Sequence, residues 1–374
     1  MDEYVIDLFS GSGGSALGFK QAGYNIKVAV DIDEDASRSF KLNFPDAEVF
    51  SSDISYITGQ TLLNATGQQN GNNIVIIACP PCQGFSTARR KSEGKKDPRN
   101  KLINEFLRIV DEIRPMSFVM ENVPGLANGN GKALFQSVFS NLQKLGYTMV
   151  YEVVHAEDYG VPQRRRRLVL IGTRNKNIRL VFPKRTHCNP EKLTELGLLP
   201  WETVRDAISD LPPLKAGLAD KADFLHKSSS LSELNLERMR KTPKDGGSRT
   251  DWPSELVLEC HKHVTGYKDI YGRMKWNSPS PTMTGGCVMI SKGRFGHPEQ
   301  HRAISLREAA RLQTFPDTYQ FVGSVGSIAK QIGNAVPPRL AYNIAETLKK
   351  CVAESQIVDQ LLAPSSVESL TTVA

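Results

Sequence analysis

The stretch Ile76-Ile77-Ala78-Cys79-Pro80-Pro81-Cys82-Gln83-Gly84-Phe85-Ser86 marks where a buried strand has to end. Its β-branched apolar run suits a strand covered on both faces. The two prolines that follow cannot continue a central strand, because they lack the N–H that the ladder needs. The chain therefore leaves the sheet here and offers Cys82 at the carboxyl edge, where open α/β folds bind ligands. A thiol placed this way is a candidate nucleophile. Cys79, last in the strand, reads as a small buried hydrophobe. The Cys79-x-x-Cys82 spacing also invites redox or zinc chemistry. A redox pair usually opens a helix whose dipole lowers the thiol pKa, but here Gln83, Gly84 and a basic loop follow. Zinc needs a second pair of ligands. Neither His187-Cys188 nor Cys260-His261-x-His263 supplies convincing spacing, so no metal is expected.

Outward from this stretch, short apolar runs alternate with amphipathic ones. Strands are expected at 4–9, 26–30, 74–78, 117–121, 148–154 and 168–173, and helices at 13–23, 34–43, 101–114 and 131–145. Such alternation with short connections predicts an α/β fold with a doubly wound, mostly parallel sheet. The pattern breaks after Thr173, and from about 184 Pro, Gly and Ser abound without a sustained period. Helical periodicity returns at 305–313 and 338–352, where Pro337-Pro338 suits a helix start. The reading is a large domain over 1–183 plus 322–352, a smaller loop-rich domain over 184–321, and a weakly ordered tail over 353–374.

Lys and Arg number 47 against 40 Asp and Glu, a formal charge of +7 that permits a polyanionic partner without demanding one. The distribution is more telling. Arg89-Arg90-Lys91 with Lys95, Lys96 and Arg99 forms one cluster, Arg164 to Arg167 a second, and Arg238, Arg240, Lys241, Lys244 and Arg249 a third. One cluster is commonly a solvated face; three, two of them without a helical apolar stripe, point to phosphate contacts. No segment resembles a membrane span, and Met1-Asp2-Glu3 runs straight into the strand-like Tyr4-Val5-Ile6, leaving no room for a signal peptide. Six scattered cysteines make no disulfide framework, and a reducing cytosol is expected.

Three other strand ends carry polar chemistry. The first delivers Asp7-Leu8-Phe9-Ser10-Gly11-Ser12-Gly13-Gly14, whose glycines let the backbone approach a ligand closely. Gly11, Gly13 and Ala16 also satisfy the relaxed dinucleotide pattern G-x-G-x-x-A, so a nicotinamide oxidoreductase is a competing reading. Asp31 ends the second strand, where it can accept from ribose hydroxyls, and Asp53 follows a third apolar piece, within reach of an adenine amino group. Each aspartate taken singly is as well read as a helix cap or turn former. Together they outline an adenosine pocket without naming the cofactor. Glu121, after Ser117-Phe118-Val119-Met120, falls at the same sheet edge as Cys82, an arrangement that suits nucleophilic attack assisted by an acid.

These motifs, with Gln163-Arg164-Arg165-Arg166-Arg167, Arg307-Glu308-Ala309-Ala310-Arg311-Leu312-Gln313, Phe315-Pro316-Asp317 and Gln331-Ile332-Gly333-Asn334-Ala335-Val336, stand in the order found in cytosine-5 DNA methyltransferases. The chain resembles the bacterial restriction–modification type of that family over nearly all of residues 4–350, and lacks the Asp/Asn-Pro-Pro-aromatic tetrad of amino-methylating relatives. The resemblance implies a Rossmann-like S-adenosylmethionine-dependent methyltransferase domain with a target-recognition domain inserted over 184–321. It implies Cys82 as nucleophile on cytosine carbon 6, Glu121 at ring N3, and Arg165 and Arg167 at phosphate and cytosine O2. For the cofactor it implies Phe9 stacked on adenine, with Ser10, Gly11, Gly13 and Gly14 around the methionine part. Asp31 with Ile32 would take the ribose, Asp53 with Ile54 the adenine, Pro80 would line the pocket, and Asn334 would reach the methionine end. DNA contacts are implied for Gln83, Ser86, Arg89, Arg99, Gln163, Arg249 and Thr282, and Met283 departs from the family's Leu, Ile or Val. The remaining expectations are S-adenosyl-L-homocysteine as product, double-stranded DNA as partner, and a monomer in the bacterial cytoplasm beside a separately acting restriction endonuclease. A tRNA methyltransferase and a non-catalytic DNA-binding regulator are the competing readings.

Overall fold

The computed structural model describes residues 3–81, 102–193, 197–262, 266 and 269–362, with side chains to 355. Its centre is a seven-stranded sheet in the order β3-β2-β1-β4-β5-β7-β6. The strands are β1 (Tyr4–Leu8), β2 (Asn25–Asp31), β3 (Glu48–Ser51), β4 (Ile74–Ala78), β5 (Ser117–Asn122), β6 (Thr148–His155) and β7 (Arg166–Thr173). β1 to β5 pair in parallel, and β7 runs antiparallel to both β5 and β6. β4 is buried at all five positions, as its unbroken Ile-Val-Ile-Ile-Ala demands. Because β1 lies between β2 and β4, strand order reverses there, and a crevice opens beyond the carboxyl ends of β1 and β4.

Strand side chains alternate between two apolar layers. Ile6, Leu8, Ile74 and Ile76 face helices α3 (Gly59–Ala65), α4 (Leu102–Ile113), α5 (Gly125–Asn128) and α6 (Lys132–Lys144). Val5, Ala29, Val75 and Ile77 face α1 (Gly14–Gln21) and α2 (Glu34–Asn43). The small region contributes α7 (Val204–Ile208) and α8 (Glu233–Lys241). Three C-terminal helices complete the second layer: α9 (Leu306–Leu312), α10 (Val325–Asn334) and α11 (Pro338–Leu362). α11 docks on α1 through a glycine face. A Cβ on Gly18 would strike the Pro338 carbonyl oxygen and come within 2.5 Å of the Tyr342 nitrogen, so only glycine permits this approach.

Two expectations are corrected here. Helix α11 continues to Leu362 instead of ending at 352, so the first part of the expected tail is helical, and residues 363–374 lie outside the described ones. The region read as a smaller domain, 184–321, shares an apolar cluster with α1 and α2 through Val204, Leu225, Met274, Met283 and Phe295 as well as Ile304 to Phe321. A separate small cluster of Met239, Trp252, Tyr271, Ile290 and Ala303 supports the loops around it. Among the described residues no helix is long and apolar enough to cross a membrane.

α9 begins with a capping box in which the Ser305 hydroxyl accepts from the Glu308 N–H and the Glu308 carboxylate accepts from the Ser305 N–H. Glu308 is 1% exposed and pairs with Arg302, 0% exposed, through two hydrogen bonds of 2.7 Å. Burial works to raise the Glu308 pKa, but the hydrogen bonds and charge of Arg302 outweigh it and hold the carboxyl below its ordinary value. Beside them His297 Nδ1 accepts from the backbone N–H of Glu299 and Gln300, which requires an unprotonated nitrogen. Burial pushes His297 down to about 4, against the pull of Glu308. A histidine held below its unfolded pKa of about 6.5 contributes stability that is complete above that value and lost as pH falls toward the folded pKa. Glu308 adds a loss in the same direction below the unfolded carboxylate range. All three tryptophans, Trp201, Trp252 and Trp276, lie within 184–321 and report this region by fluorescence. Urea unfolding followed at 350 nm should show stability declining from about pH 6.5 to pH 4, with a shallower decline in His297→Gln.

Candidate active site

Two turns and one strand end build the site. After β1 the chain turns sharply through Phe9, Gly11 and Gly13, with φ of 59°, 53° and 91°. Gly11 and Gly13 adopt this left-handed backbone without a Cβ penalty. The turn is tied to the neighbouring strand, since the Ser10 N–H donates to Val30 O at 3.0 Å and the Gly11 N–H to Asp31 Oδ2 at 2.7 Å. Asp31 Oδ1 accepts from the Asp33 N–H at 2.8 Å. Burial raises the Asp31 pKa more than these two N–H groups lower it. Each of its oxygens retains a lone pair for a further donor. Ile32 beside it is 72% exposed.

Asp53 caps a short 3-10 turn, its Oδ1 accepting from the Ser55 N–H at 2.9 Å and hydroxyl at 2.8 Å. The next residue corrects an expectation: the Ile54 side chain is buried in the layer formed by α3 and α4, not turned toward the crevice. Asn334, the last residue of α10, is exposed. The fold brings it near the glycine turn, since a Cβ on Gly14 would meet the Val336 carbonyl oxygen and stand 3.1 Å from the Ala335 Cβ.

At the end of β4, Pro80 is buried and its carbonyl accepts from Asn122 Nδ2 at 2.9 Å. Asn122 Oδ1 in turn accepts from the Val123 N–H at 2.8 Å. This bond joins the turn leading to Cys82 to the strand end bearing Glu121. The sequence reading assigned Asn122 no role, because Glu121-Asn122 shows an amide after a carboxylate and not the carbonyl across the ladder. Cys82, Gln83, Ser86, Arg89 and Arg99 lie outside the described residues.

Glu121 and Arg167, 13% and 14% exposed at the side chain, meet at 2.6 Å between Oε1 and Nε. The contact is one of charge, since the N–H does not point at the oxygen and Oε1 has no aligned hydrogen bond. Cys79 Sγ lies 3.5 Å from Ser15 Oγ. Burial, with the nearby carboxylates of Glu121 and Asp7, pushes the Cys79 thiol well up, so it stays protonated and inert, as expected of a packing residue. Asp7 is a further residue without an assigned role. It is fully buried under the glycine turn, and burial, with the nearby Asp31 carboxylate, raises its pKa well above the ordinary value against the pull of the Ala16 N–H.

The arginine run splits by strand alternation. Arg164 and Arg166 are exposed, and Arg164 stacks over Trp201 at 5.9 Å. Arg165 is 2% exposed, with Nη1 donating to Met283 O at 3.1 Å and Gly333 O at 3.3 Å. Burial, helped by Arg167 and opposed by Glu121, pushes its pKa down to about 9, so it stays charged at neutral pH. Nη1 thus joins internal segments, while the buried Nε has no hydrogen-bond partner among the described residues. Two expected DNA contacts are corrected by their burial. Gln163 is fully buried with both ends of its amide engaged, and Arg249 is 7% exposed and donates to Gly266 O at 2.7 Å. Thr282 is half-buried, with its hydroxyl donating to Arg164 O at 2.6 Å. Among the described residues no group of three or more His, Cys, Asp or Glu could hold a metal.

Comparison with known proteins adds independent findings. The family profile of C-5 cytosine-specific DNA methylases matches residues 4–350. The type II methylase M.HgiDII of Herpetosiphon aurantiacus is 39% identical over 352 residues, covering 92% of this chain and 95% of the relative. The type II methyltransferase M1.HphI of Haemophilus parahaemolyticus is 36% identical over 346 residues, covering 92% of this chain and 86% of the relative. A crystal structure described as a DNA modification methyltransferase encoded within an E. coli prophage superposes with a TM-score of 0.68 at 27% identity, covering 94% of this chain and 100% of the other.

The Asn122 bond has a direct test. Asn122→Ala leaves the buried Pro80 carbonyl without its donor and should cost about 1–3 kcal/mol in urea unfolding. Asn122→Asp, which keeps the size but not the N–H, should cost at least as much.

Proposed function

This chain belongs to the C-5 cytosine-specific DNA methylase family, and from that premise we propose that it transfers the methyl group of S-adenosylmethionine to carbon 5 of a cytosine flipped out of a specific duplex DNA sequence. The observation that carries the reading is the Arg167–Glu121 ion pair at a strand end, beside the Asn122-held turn that leads to Cys82. The target carbon is unreachable inside a duplex, so the base leaves the stack before chemistry.

Carbon 5 of cytosine is a poor nucleophile. Addition of the Cys82 thiolate to carbon 6 makes carbon 5 electron-rich. Glu121 holds ring N3 and stabilises the charge that develops there during addition, which lowers the barrier because the contact strengthens toward the transition state. Arg167, held at Glu121, orients that carboxyl and lies on the side of cytosine O2. Once carbon 5 is methylated, loss of its proton and β-elimination break the Cys82–carbon 6 bond and free the enzyme.

The crevice residues suit S-adenosylmethionine, which supplies the electrophilic methyl group and leaves as S-adenosyl-L-homocysteine. Phe9, half-buried, and Ile32, exposed, offer apolar surface to the adenine. Asp31 and Asp53 retain acceptor capacity for ribose hydroxyls and the adenine amino group. Ser10, Gly11, Gly13 and Gly14 form the close-approach turn at the methionine part, Pro80 forms the adjoining wall, and Asn334 faces it from α10. Gln83, Ser86, Arg89, Arg99 and Thr282 are the DNA contacts of this reading, which takes the protein as a monomer acting in the bacterial cytoplasm. The type II names of its relatives support a cognate restriction endonuclease acting separately.

Transfer of labelled methyl groups to duplex DNA and to tRNA tests the substrate; incorporation into tRNA alone would overturn the reading. Cys82→Ala should abolish transfer, and Glu121→Gln should lower kcat by roughly a hundredfold or more. Full activity in Cys82→Ala would remove the covalent mechanism. Bisulfite sequencing of DNA from expressing cells would identify the methylated site.

A further inference from the structure

Two buried glutamines form a network that neither the proposed chemistry nor the sequence reading uses. Gln163 and Gln313 are both fully buried, and Gln163 Nε2 donates to Gln313 Oε1 at 2.8 Å and to Leu312 O at 3.2 Å. Gln163 Oε1 accepts from the Met283 N–H at 2.8 Å, and two residues along the strand Arg165 Nη1 donates to Met283 O at 3.1 Å. The backbone groups of Met283 are thus gripped on both sides by side chains of one strand edge. Ser280 forms an isolated parallel bridge with Gln163, its N–H donating to Pro162 O at 2.9 Å and its carbonyl accepting from the Arg164 N–H at 2.8 Å.

The other end of the network reaches α10. Gln313 Nε2 donates to Ile332 O at 2.5 Å and Ala335 O at 3.2 Å, and Arg165 donates to Gly333 O at 3.3 Å. The last carbonyls of a helix lack their usual intrahelical donors; Ile332 O also takes the Ala335 N–H at 3.3 Å, and the side chains of Gln313 and Arg165 add donors to it and to Gly333 O. A cation at a helix carboxyl end is also favoured by the helix dipole. Gly333 completes the fit: a Cβ there would strike the Thr284 carbonyl, so residues 283–285 sit directly on the end of α10. Between the gripped Gly333 and Ala335 lies Asn334, which is exposed.

We propose that Gln313, through its hydrogen bonds to Gln163, Ile332 and Ala335, is a positioning residue that aims Asn334 at the methionine end of the cofactor and locks that aim to the segment returning from the recognition region. The inference rests on the reading of Asn334 as a cofactor contact. Gln313 touches neither cofactor nor DNA and acts through the carbonyls on either side of Asn334.

A double-mutant cycle on the full-length chain tests it. Dissociation constants for S-adenosyl-L-homocysteine are measured for wild type, Asn334→Ala, Gln313→Met and the double variant, with the urea midpoint of each. Gln313→Met keeps the side-chain length and removes the donors. It should weaken binding by about tenfold in the wild-type background and by less than about twofold in Asn334→Ala, because coupled residues are non-additive. Gln313→Glu, which keeps the acceptor for Gln163 but not the donor to Ile332, should behave as Gln313→Met does. An unchanged affinity in Asn334→Ala would instead remove the cofactor reading of Asn334. Equal losses from Gln313→Met in both backgrounds, a lowered urea midpoint with unchanged affinity, or failure of both Gln313 variants to fold would each overturn the positioning role.

Discussion

The hydrogen bond from Asn122 Nδ2 to Pro80 O fixes the relation on which the site depends. β4 and β5 are paired in register up to Ala78 and Met120, and beyond that point the ladder has nothing to hold the two chains together. The prolines that end β4 also remove the donors that could have continued it. Asn122 replaces the missing rung with a side chain. A net contribution of about 1 kcal/mol is modest for stability. For chemistry the same bond is worth more, because a misplacement of about 1 Å between reacting groups can cost on the order of a hundredfold in rate.

Charge is concentrated where the fold is least able to solvate it. Asp7, the Cys79 thiol and Glu121 lie at the carboxyl ends of parallel strands, and Arg165 and Arg167 at the amino end of antiparallel β7 on the same sheet edge, each largely buried. The two arginines solve this differently. Arg167 meets the opposite charge of Glu121, whereas Arg165 meets carbonyl dipoles at Met283 and Gly333. Carbonyl partners leave more of the desolvation cost unmet than a carboxylate does, in keeping with the direction of the Arg165 shift. Burial raises the pKa of Asp7 well above its ordinary value, with the Ala16 N–H pulling the other way.

Much of the large sheet was legible because parallel strands buried on both faces leave unbroken apolar runs, as in β4. β3 was read only as an apolar piece, since four residues at the sheet margin give a weak pattern. α10 was missed because Gly326, Ser327 and Gly333 interrupt the apolar series Ile328, Ala329 and Ile332. The site was legible wherever a residue's role follows from its strand end, as for Glu121, Asp31 and the glycine turn. It was not legible where a role depends on partners distant in sequence. Nothing local in the arginine run shows that Arg165 ends on the Met283 and Gly333 carbonyls while Arg167 meets Glu121. Gln163 and Arg249 read as DNA contacts by motif and charge, yet their partners at Met283, Gln313 and Gly266 consume them.

The loop-rich region poses the opposite problem from the sheet. Its backbone makes few regular ladders, so its buried carbonyls must find donors elsewhere. Buried arginines supply them. Arg273, 0% exposed, donates to the carbonyls of Thr242, Met239, His297 and Gln300, drawing the end of α8 and the 297–300 loop onto one guanidinium. Arg302 does similar work through Glu308 and the Ala303 carbonyl. A fork with five donors can hold irregular backbone that no small apolar core could define. Loops fixed this way remain free to differ in outward side chains while their inner backbone stays rigid. The return segment at Met283 carries that rigidity to the strand bearing Arg165 and Arg167. The loop-rich region and the strand ends are thereby held in one frame, and Val204, Leu225, Met274, Met283 and Phe295 share one apolar cluster with α1 and α2.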